Sequence, residues 1–310
     1  MRAVVFAYSN VGDRCLRVLH AAGVEIALVA THRDHPAEKI WFERVADTAT
    51  ELGLPVMYAD DPADPVLAAF VARARPDVIF SFYYRSMIPM AVLSLAARGA
   101  FNMHGSLLPH YRGRAPTNWA VLRGETETGA TLHEMVTKPD AGAIVDRCAV
   151  PILPDDTARQ VFDKVTVAAE LVLWRSLPAI IAGSYQTLPN DLGAGSYFSA
   201  RSPEDGRIDW NQPAAQVYNL IRAVAPPYPG AFTEVGGRKL VMAVARRLSA
   251  DSGYDLSGCA PGLHVSRGRI VGLCGDGGLI EIRQLVSGTA SISASALEAL
   301  LMAHRGQSNS

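Results

Sequence analysis

The sequence lacks the features that define several large classes of protein. Its four cysteines form no C-x-x-C pair and lie far apart, at Cys15, Cys148, Cys259 and Cys274. This spacing predicts neither a disulfide framework nor a zinc site, and we expect reduced residues that serve packing. Lysine and arginine number 29 against 30 acidic residues, for a formal net charge of −1. Because nucleic-acid binding usually leaves a basic excess or stripe, no nucleic-acid partner is expected.

Targeting and dinucleotide-binding features are also missing from the N-terminal region. Residues 1–8 contain one arginine and a short apolar run, too short for a signal-peptide core or a membrane span. We therefore expect a cytoplasmic protein with no membrane partner. The first predicted strand leads into residues 8–12 (YSNVG), which contain one glycine and no G-x-G-x-x-G, so NAD is not expected as a cofactor.

The order of apolar patterns predicts an α/β protein of about two domains. Strand-like runs alternate with helical patterns from residue 3 onward, which predicts a Rossmann-like, mainly parallel sheet over residues 1–198. The pattern then changes to short strands separated by glycine-rich turns, which predicts a small antiparallel barrel over residues 199–303. The tail, residues 304–310, is expected to be frayed.

Three local patterns lead to further expectations. Residues 40–52 have the periodicity of an amphipathic helix. A second, longer helix follows Asp155 and Asp156, and Pro178 is expected to bend or end it. His32 and His35 lie in the polar loop 31–39, where two readings stay open: a pair of metal ligands or a solvated loop.

The most informative stretch is residues 100–119 (AFNMHGSLLPHYRGRAPTNW). Its first residues alternate as a strand, so Asn102 and His104 share a face, and Gly105 ends the strand directly after them. The carboxyl ends of strands form the ligand crevice of open α/β sheets, and we expect both side chains to face solvent there. An amide beside an imidazole suits acyl transfer, although the pair could equally serve hydrogen bonding at a strand end.

These residues resemble a known family. The segment Asn-x-His-x-Ser-Leu-Leu-Pro followed by Arg-Gly is similar to the active-site signature of 10-formyltetrahydrofolate-dependent formyltransferases. The most specific blocks are residues 80–85 (FSFYYR), 105–116 (GSLLPHYRGRAP) and 124–131 (GETETGAT). They most resemble the formyltransferase domain of bifunctional polymyxin-resistance enzymes, which formylates UDP-4-amino-4-deoxy-L-arabinose. The resemblance extends from Val4 to Gly275 and implies an OB-like C-terminal domain.

The resemblance implies a set of site residues. The catalytic group would be Asn102, His104 and Asp140, the last in an Asp-x-Gly turn that must fold back against His104. The co-substrate would be 10-formyltetrahydrofolate, used without a metal. The positions implied to bind it are Ser86, Met87, Ile88, Arg114, Val136, Thr137, Lys138, Pro139 and Asp140. Arg114 has a second reading, as a solvated side chain.

The acceptor is expected to be a small molecule, a nucleotide-linked amino sugar. Methionyl-tRNA formyltransferases resemble the chain but usually have alanine where Arg114 stands, and they carry a basic insertion after the second strand that is missing here. Arg112 and Arg114 are expected to flank the crevice, and Arg114, Arg201 or Arg222 to hold a diphosphate. Two alternatives remain: tRNA formylation and a non-catalytic folate-binding module. An oxidative step before formylation would need a separate dehydrogenase and decarboxylase.

Overall fold

The computed structural model describes residues 1–36, 38–249 and 251–307, which form two compact units. The first unit contains Met1–Thr117, Glu127–Pro151 and Phe162–Ala200. The second contains Asn118–Thr126, Ile152–Val161 and the described residues from Arg201 onward. The change at Arg201 is close to the boundary expected at residue 199. No sequence pattern indicates that the two short earlier segments belong to the second unit.

The first unit is built on one seven-stranded sheet. Its elements are β1 (Arg2–Ala7), α1 (Ser9–Ala21), β2 (Glu25–Thr31), α2 (Val45–Glu51), β3 (Val56–Tyr58), α3 (Pro65–Ala74), β4 (Val78–Phe82), α4 (Met90–Leu93), β5 (Ala100–His104), β6 (Arg112–Gly113), α5 (Pro116–Arg123), β7 (Glu127–Glu134), β8 (Ile144–Pro151), α6 (Ala158–Ala182) and β9 (Tyr197–Phe198). Helices α5 and α6 also contribute residues to the second unit. The strand order is β3-β2-β1-β4-β5-β7-β8, with β6 and β9 as a separate parallel pair.

The sheet is parallel from β3 to β5 and antiparallel beyond it, which confirms the mainly parallel sheet that the sequence predicts. Strands β1 and β4 are buried on both faces, as expected for parallel strands covered by helices, and their side chains Phe6, Phe80 and Phe82 have no solvent exposure. The chain order reverses between β1 and β4, so a crevice is expected at the carboxyl ends of these strands.

The helix predicted over residues 40–52 is shorter than expected, because α2 begins only at Val45. Trp41 and Phe42 contact each other edge to face at a centroid distance of 5.4 Å. Phe42 also contacts Tyr8 at 5.1 Å, and Trp41 contacts Phe162 at 5.5 Å. These ring contacts favour a non-helical path for the residues before α2.

Helix α6 runs through Pro178 to Ala182, so the alternative that this proline ends the helix is wrong. Leu177 and Ile180, on either side of the proline, are at most 2% exposed, and this packing outweighs the hydrogen bond that proline removes. The helix ends before Gly183, whose φ of +68° allows the terminal turn. It is the one helix among the described residues with the length and apolarity of a membrane span. Half of its most apolar stretch is buried, which a core helix of a globular protein also shows.

The second unit contains an antiparallel β domain, as predicted. A 3₁₀ helix (Pro203–Gly206) precedes α7 (Ala214–Val224), β10 (Ala231–Val235), β11 (Arg238–Arg247), β12 (Gly262–Ser266), β13 (Arg269–Leu273), β14 (Leu279–Ser287), β15 (Ala290–Ser291) and α8 (Ala294–Gln307). The sheet has the order β10-β11-β14-β13-β12, and β15 pairs with β14. Helix α8 includes residues 304–307, so these four are helical instead of frayed, while 308–310 lie outside the described residues.

The four cysteines are free thiols. Cys15 and Cys274 are buried, as expected of packing residues, and Cys148 is partly buried. Cys259 is exposed, so a packing role is wrong for this residue.

Candidate active site

Asn102 and His104 occupy the carboxyl-terminal half of β5, as the alternation predicts. Gly105 follows without a side chain because the Tyr83 hydroxyl fills the space, and a Cβ there would lie 1.8 Å from that oxygen. Asn102 is partly exposed. His104 is only 6% exposed, so the solvent-facing position expected of it is wrong.

The Asp140 carboxylate folds back against this strand. Its Oδ1 atom lies 3.5 Å from His104 Nδ1, and its Oδ2 atom accepts a hydrogen bond of 2.9 Å from the Gly113 amide. Asp140 has a φ of +50°, a left-handed conformation that aspartate tolerates better than most residues. The turn passes so close to β7 that a Cβ on Gly142 would lie 1.9 Å from the Glu134 carbonyl oxygen. The approach of His104 and Asp140 predicted from sequence is therefore observed.

A second imidazole, that of His133, completes the group, and it is not among the site residues predicted from the sequence. Strand β7 is antiparallel to β5, and its register puts His133 directly opposite Asn102. His133 Nε2 lies 3.1 Å from Asn102 Nδ2 and 3.6 Å from Asp140 Oδ1. A register shift between Leu132 and His133 interrupts the β7–β8 ladder at this point, and such bulges re-aim side chains near active sites.

The hydrogen bonds indicate how protons are arranged on the two imidazoles. A carbonyl oxygen can only accept, so His104 Nε2 donates to the Tyr111 carbonyl at 2.8 Å and His133 Nδ1 donates to the Glu134 carbonyl at 2.8 Å. His133 Nε2 is then free to accept from the Asn102 amide. His104 Nδ1 is the nitrogen that faces the carboxylate, where a proton would be stabilised.

The electrostatic environment keeps Asp140 ionised. Burial by itself raises the pKa of this carboxyl group. The protonated forms of the His104 and His133 imidazoles, together with the Gly113 amide, outweigh that effect and hold the pKa of Asp140 well below its ordinary value. The site therefore has a fixed negative charge next to an imidazole and an amide.

This group of side chains is suited to catalysing attack on a carbonyl carbon. The Asn102 amide and the His104 imidazole are donors that could stabilise an oxyanion, and Asp140 stabilises a positive charge on His104. His104 Nε2 already donates to Tyr111, so a reacting carbonyl oxygen would share or replace that contact. Within residues 1–36, 38–249 and 251–307, no cluster of three or more His, Cys, Asp or Glu side chains is arranged to hold a metal ion.

The residues expected to bind a folate lie in two segments near these side chains. Ser86, Met87 and Ile88 follow β4, where Met87 is 57% exposed and Ile88 is buried. Residues 136–140 connect β7 to β8; Val136, Thr137 and Lys138 are exposed, and Pro139 is partly buried. Strand β4 is parallel to β5, so residues 86–88 follow the carboxyl end of the sheet. Strand β7 is antiparallel to β5, so residues 136–140 leave the opposite edge, and Asp140 returns to within 3.5 Å of His104.

The arginines expected to contact phosphate have different surroundings. Arg114 is exposed, and its backbone amide donates to the Phe198 carbonyl. Arg112 is only 7% exposed, so most of its side chain is enclosed by the protein. In the second unit, Arg222 is 6% exposed and donates to the Asp156 carbonyl and to Asn219 Oδ1, and the Arg201 guanidinium lies 4.8 Å from the Trp119 ring centroid.

Two family models match the chain. A model described as formyl transferase matches residues 1–177, and one described as formyl transferase, C-terminal domain, matches residues 201–298. The first covers more than half of the 310 residues.

Solved structures share the fold at low sequence identity. An N-formyltransferase from Helicobacter canadensis, solved with folinic acid and dTDP-3-aminofucose, has a TM-score of 0.70 and 18% identity and covers 91% of this chain and 98% of its own. The sugar 3N-formyl transferase WlaRD, solved with dTDP and 5-N-formyl-THF, has a TM-score of 0.72 and 19% identity. The match covers 94% of this chain and 98% of WlaRD. HypX from Aquifex aeolicus, solved with tetrahydrofolic acid, has a TM-score of 0.66 and 20% identity. The match covers 97% of this chain and 47% of HypX.

Proposed function

Because the chain belongs to the formyl transferase family, we propose that it transfers the formyl group of 10-formyltetrahydrofolate to the amino group of a nucleotide-linked sugar. The observation that carries this proposal is the continuous group Asn102–His133–Asp140–His104, with neighbouring members 3.1 to 3.6 Å apart. Support comes from two relatives whose structures contain a formyl-folate together with a dTDP-linked sugar or dTDP itself. The proposed reaction uses neither a metal nor NAD.

The proposed reaction begins when the neutral amine of the sugar attacks the formyl carbon. The new C–N bond forms as the carbonyl electrons move to oxygen, and the Asn102 amide and His104 imidazole donate to that oxyanion. The amine then loses a proton, the bond between the formyl carbon and N10 of the folate breaks, and N10 receives a proton. The products are the N-formyl sugar and tetrahydrofolate. Asp140 would keep His104 oriented and stabilise its protonated form.

The proposed folate site consists of the residues implied by the family signature. Ser86, Met87 and Ile88 would line one side of the folate, and residues 136–140 with Arg114 would line the other. We also propose residues 1–198 as the catalytic domain and 199–303 as the OB-like domain. A panel of alanine variants at Met87 and Val136, which are 57% and 42% exposed, would test the folate site through the KM for 10-formyltetrahydrofolate.

For the acceptor, we propose UDP-4-amino-4-deoxy-L-arabinose, the substrate of the ArnA-type formyltransferase domain that the blocks FSFYYR and GSLLPHYRGRAP resemble. The enzyme would then act in the cytoplasm in lipid A modification, which gives polymyxin resistance. A separate dehydrogenase and decarboxylase would provide the keto sugar from which the amino sugar is made. Another UDP- or dTDP-linked amino sugar is the nearest alternative acceptor.

Formylation of methionyl-tRNA is the second alternative, and charge argues against it. The net charge is −1, and the residues after β2, THRDHPAEK, balance their basic residues with acidic ones. A tRNA-binding enzyme neutralises several phosphates, so its affinity falls steeply with salt. A small nucleotide sugar held by one or two arginines should show a shallow salt dependence.

The test is a side-by-side assay with 10-formyltetrahydrofolate as donor. UDP-4-amino-4-deoxy-L-arabinose, a dTDP-linked amino sugar and methionyl-tRNA are offered separately, and formyl transfer to each is followed at two salt concentrations. We expect turnover of the UDP-sugar, little change with salt, and loss of turnover in the His104→Ala variant. Efficient formylation of the tRNA alone would overturn the assignment of the acceptor, and binding of folate without transfer to any acceptor would favour a non-catalytic module.

A further inference from the structure

A cavity of about 320 Å³ opens in the first unit, at the carboxyl ends of β1, β2 and β3. Its volume is at the small end of the range for ligand pockets, which suits part of a larger ligand. Nine residues line it: Tyr8, Thr31, His32, Arg33, Asp34, Arg44, Val45, Ala46 and Tyr58. None of these nine residues belongs to the groups proposed for formyl transfer or folate binding.

Asp34 is the acidic group of this cavity, and two donors fix its carboxylate. Its Oδ1 accepts a hydrogen bond of 2.9 Å from the Tyr8 hydroxyl, and its Oδ2 accepts one of 2.5 Å from Arg44 Nε. Burial, and then the bond to Asp34, raises the pKa of Tyr8 well above its ordinary value, so the hydroxyl remains a donor. A carboxylate has about four lone-pair positions, so two remain for a ligand.

Tyr8 itself is held rigidly beneath the cavity. The Arg85 guanidinium lies 4.4 Å from its ring centroid, and the His32 and Phe42 rings contact it edge to face. The His32 ring stacks on the Tyr84 ring at a centroid distance of 4.1 Å, and its Nε2 atom accepts a hydrogen bond from the Arg85 amide. His32 is therefore neither a metal ligand nor a solvated loop residue, and both predictions are wrong for it. The floor of the cavity is therefore preorganised.

Tyr58 provides an aromatic surface at the opposite side. It ends the edge strand β3, and 49% of its surface is exposed. The Arg33 guanidinium lies 5.1 Å from its ring centroid and donates 3.0 Å to Asp60. A half-exposed ring with a guanidinium beside it is a stacking surface for a planar base.

The position of the cavity relative to His104 follows from the strand order. In the sheet order β2-β1-β4-β5, strand β5 lies three strand positions from β2, and both strands end at the same edge of the sheet. With strands about 4.8 Å apart, the cavity lies roughly 14 Å from the reactive group. A nucleoside and a sugar joined by two phosphates span a comparable distance. The connecting phosphates would cross the ends of β1 and β4, where the chain order reverses.

We propose that this cavity holds the nucleoside of the sugar nucleotide, with the base on Tyr58 and the ribose hydroxyls on Asp34. The proposal rests on the proposed function because it names where that acceptor binds. An acidic side chain shortly after the second strand of a doubly wound sheet is well placed to receive a ribose 2′-hydroxyl, and Asp34 is three residues beyond the end of β2. The absence of G-x-G-x-x-G after β1 is compatible with this, because no dinucleotide is involved.

The first test replaces the stacking surface and measures UDP binding directly by calorimetry. Tyr58→Ala should weaken UDP about tenfold or more, the usual effect of removing an aromatic that stacks on a base. The matched control is Phe70→Ala on α3, because Phe70 is 39% exposed and also has a guanidinium, that of Arg73, at 5.1 Å from its ring. The control should bind UDP like the unaltered chain, and neither variant should change the KM for 10-formyltetrahydrofolate.

The second test examines the ribose. The unaltered chain should bind UDP more tightly than 2′-deoxy-UDP, and Asp34→Asn should reduce that preference, because the charge-assisted hydrogen bond is lost. An equal loss of both ligands in Asp34→Asn, or unchanged UDP affinity in Tyr58→Ala, would overturn the proposal. UDP binding needs no formyl transfer, so the two proposals fail in different experiments. If the cavity does not bind the nucleoside, the calorimetry shows it. If the protein does not transfer formyl groups, only the transfer assay shows it.

Discussion

Asn102 and His133 lie directly opposite each other on β5 and β7, with Asn102 Nδ2 and His133 Nε2 3.1 Å apart. The Glu134 carbonyl accepts from the other ring nitrogen, which leaves Nε2 as an acceptor for the amide. The second Asn102 N–H and its oxygen are then held in a fixed direction at the end of the strand. The orientation of this amide depends on a residue that is adjacent in space and 31 positions away in sequence.

Replacement of His133 should therefore lower turnover without weakening either substrate. We expect His133→Gln to reduce kcat about ten- to a hundredfold, the cost of displacing a reacting group by a fraction of an ångström to about 1 Å. The KM values for both substrates should stay near those of the unaltered enzyme. Steady-state kinetics measures both, with His20→Gln, an exposed histidine on α1, as the control. Unchanged kcat in His133→Gln would mean that Asn102 does not depend on this contact.

Removal of either proposed oxyanion donor should reduce turnover more strongly. For Asn102→Ala and His104→Ala we expect a loss of about two to three powers of ten in kcat. Because His104 is 6% exposed, its truncation should also lower the Tm by a few degrees, whereas the partly exposed Asn102 should change it less. Single-turnover rates and thermal melts separate the two effects. If the folded His104→Ala variant kept wild-type turnover, the imidazole would have no role in catalysis.

Asp140→Asn should remove the charge while keeping the turn, because asparagine also tolerates a φ of +50°. The folded-state pKa of Asp140 is held below its unfolded value, so its ionisation stabilises the native state. That contribution is complete above the unfolded pKa of about 3.9 and is lost as the pH falls through the folded pKa. The unfolding free energies of the two proteins should thus differ near pH 5 and converge as the pH falls below about 4. A difference that grows in acid would contradict the depressed pKa.

Gly142→Ala should disturb the turn that carries Asp140. Its new Cβ would lie 1.9 Å from the Glu134 carbonyl oxygen, so the backbone must shift. We expect a loss of about 1–3 kcal/mol in stability and at least a tenfold loss of kcat. Gly193→Ala is the control, because the nearest contact of its Cβ is a side-chain oxygen 3.3 Å away. Denaturant unfolding and kinetics measure both, and equal behaviour of the two variants would show that the turn absorbs the methyl group.

The sequence predicts many of the strands correctly, because strand formation depends largely on the local pattern of apolar residues. The runs that form β1, β4 and β5 are apolar enough to be strands in any arrangement, and Asn102 and His104 share a face through alternation alone. His133 could not be selected in the same way. Its importance depends on β7 pairing antiparallel with β5 in one register, and that pairing joins residues about 30 positions apart. A search for polar residues at alternate positions of TLHE, followed by Asp140, could have raised it as a candidate.

The predictions that are wrong share one physical cause, which is tertiary packing. Trp41 and Phe42 fit a helical pattern but form ring contacts that hold the chain out of the helix. Pro178 is a helix breaker by its chemistry, yet buried neighbours keep α6 continuous. His104 is expected to face solvent at the end of its strand, yet it is only 6% exposed. In each case, contacts with distant residues outweigh the local preference.

The irregularity between β7 and β8 limits which changes of length the protein can accept. Leu132 pairs with Asp146 and His133 with Ile144, so Val145 is the extra residue on β8. Deletion of Val145 would restore a regular ladder and rotate one flank of the hairpin by one residue, turning side chains to the opposite face. Insertions between residues 136 and 140 would lengthen the connection that returns Asp140. Natural or designed variants of this enzyme should therefore keep the length of this hairpin constant.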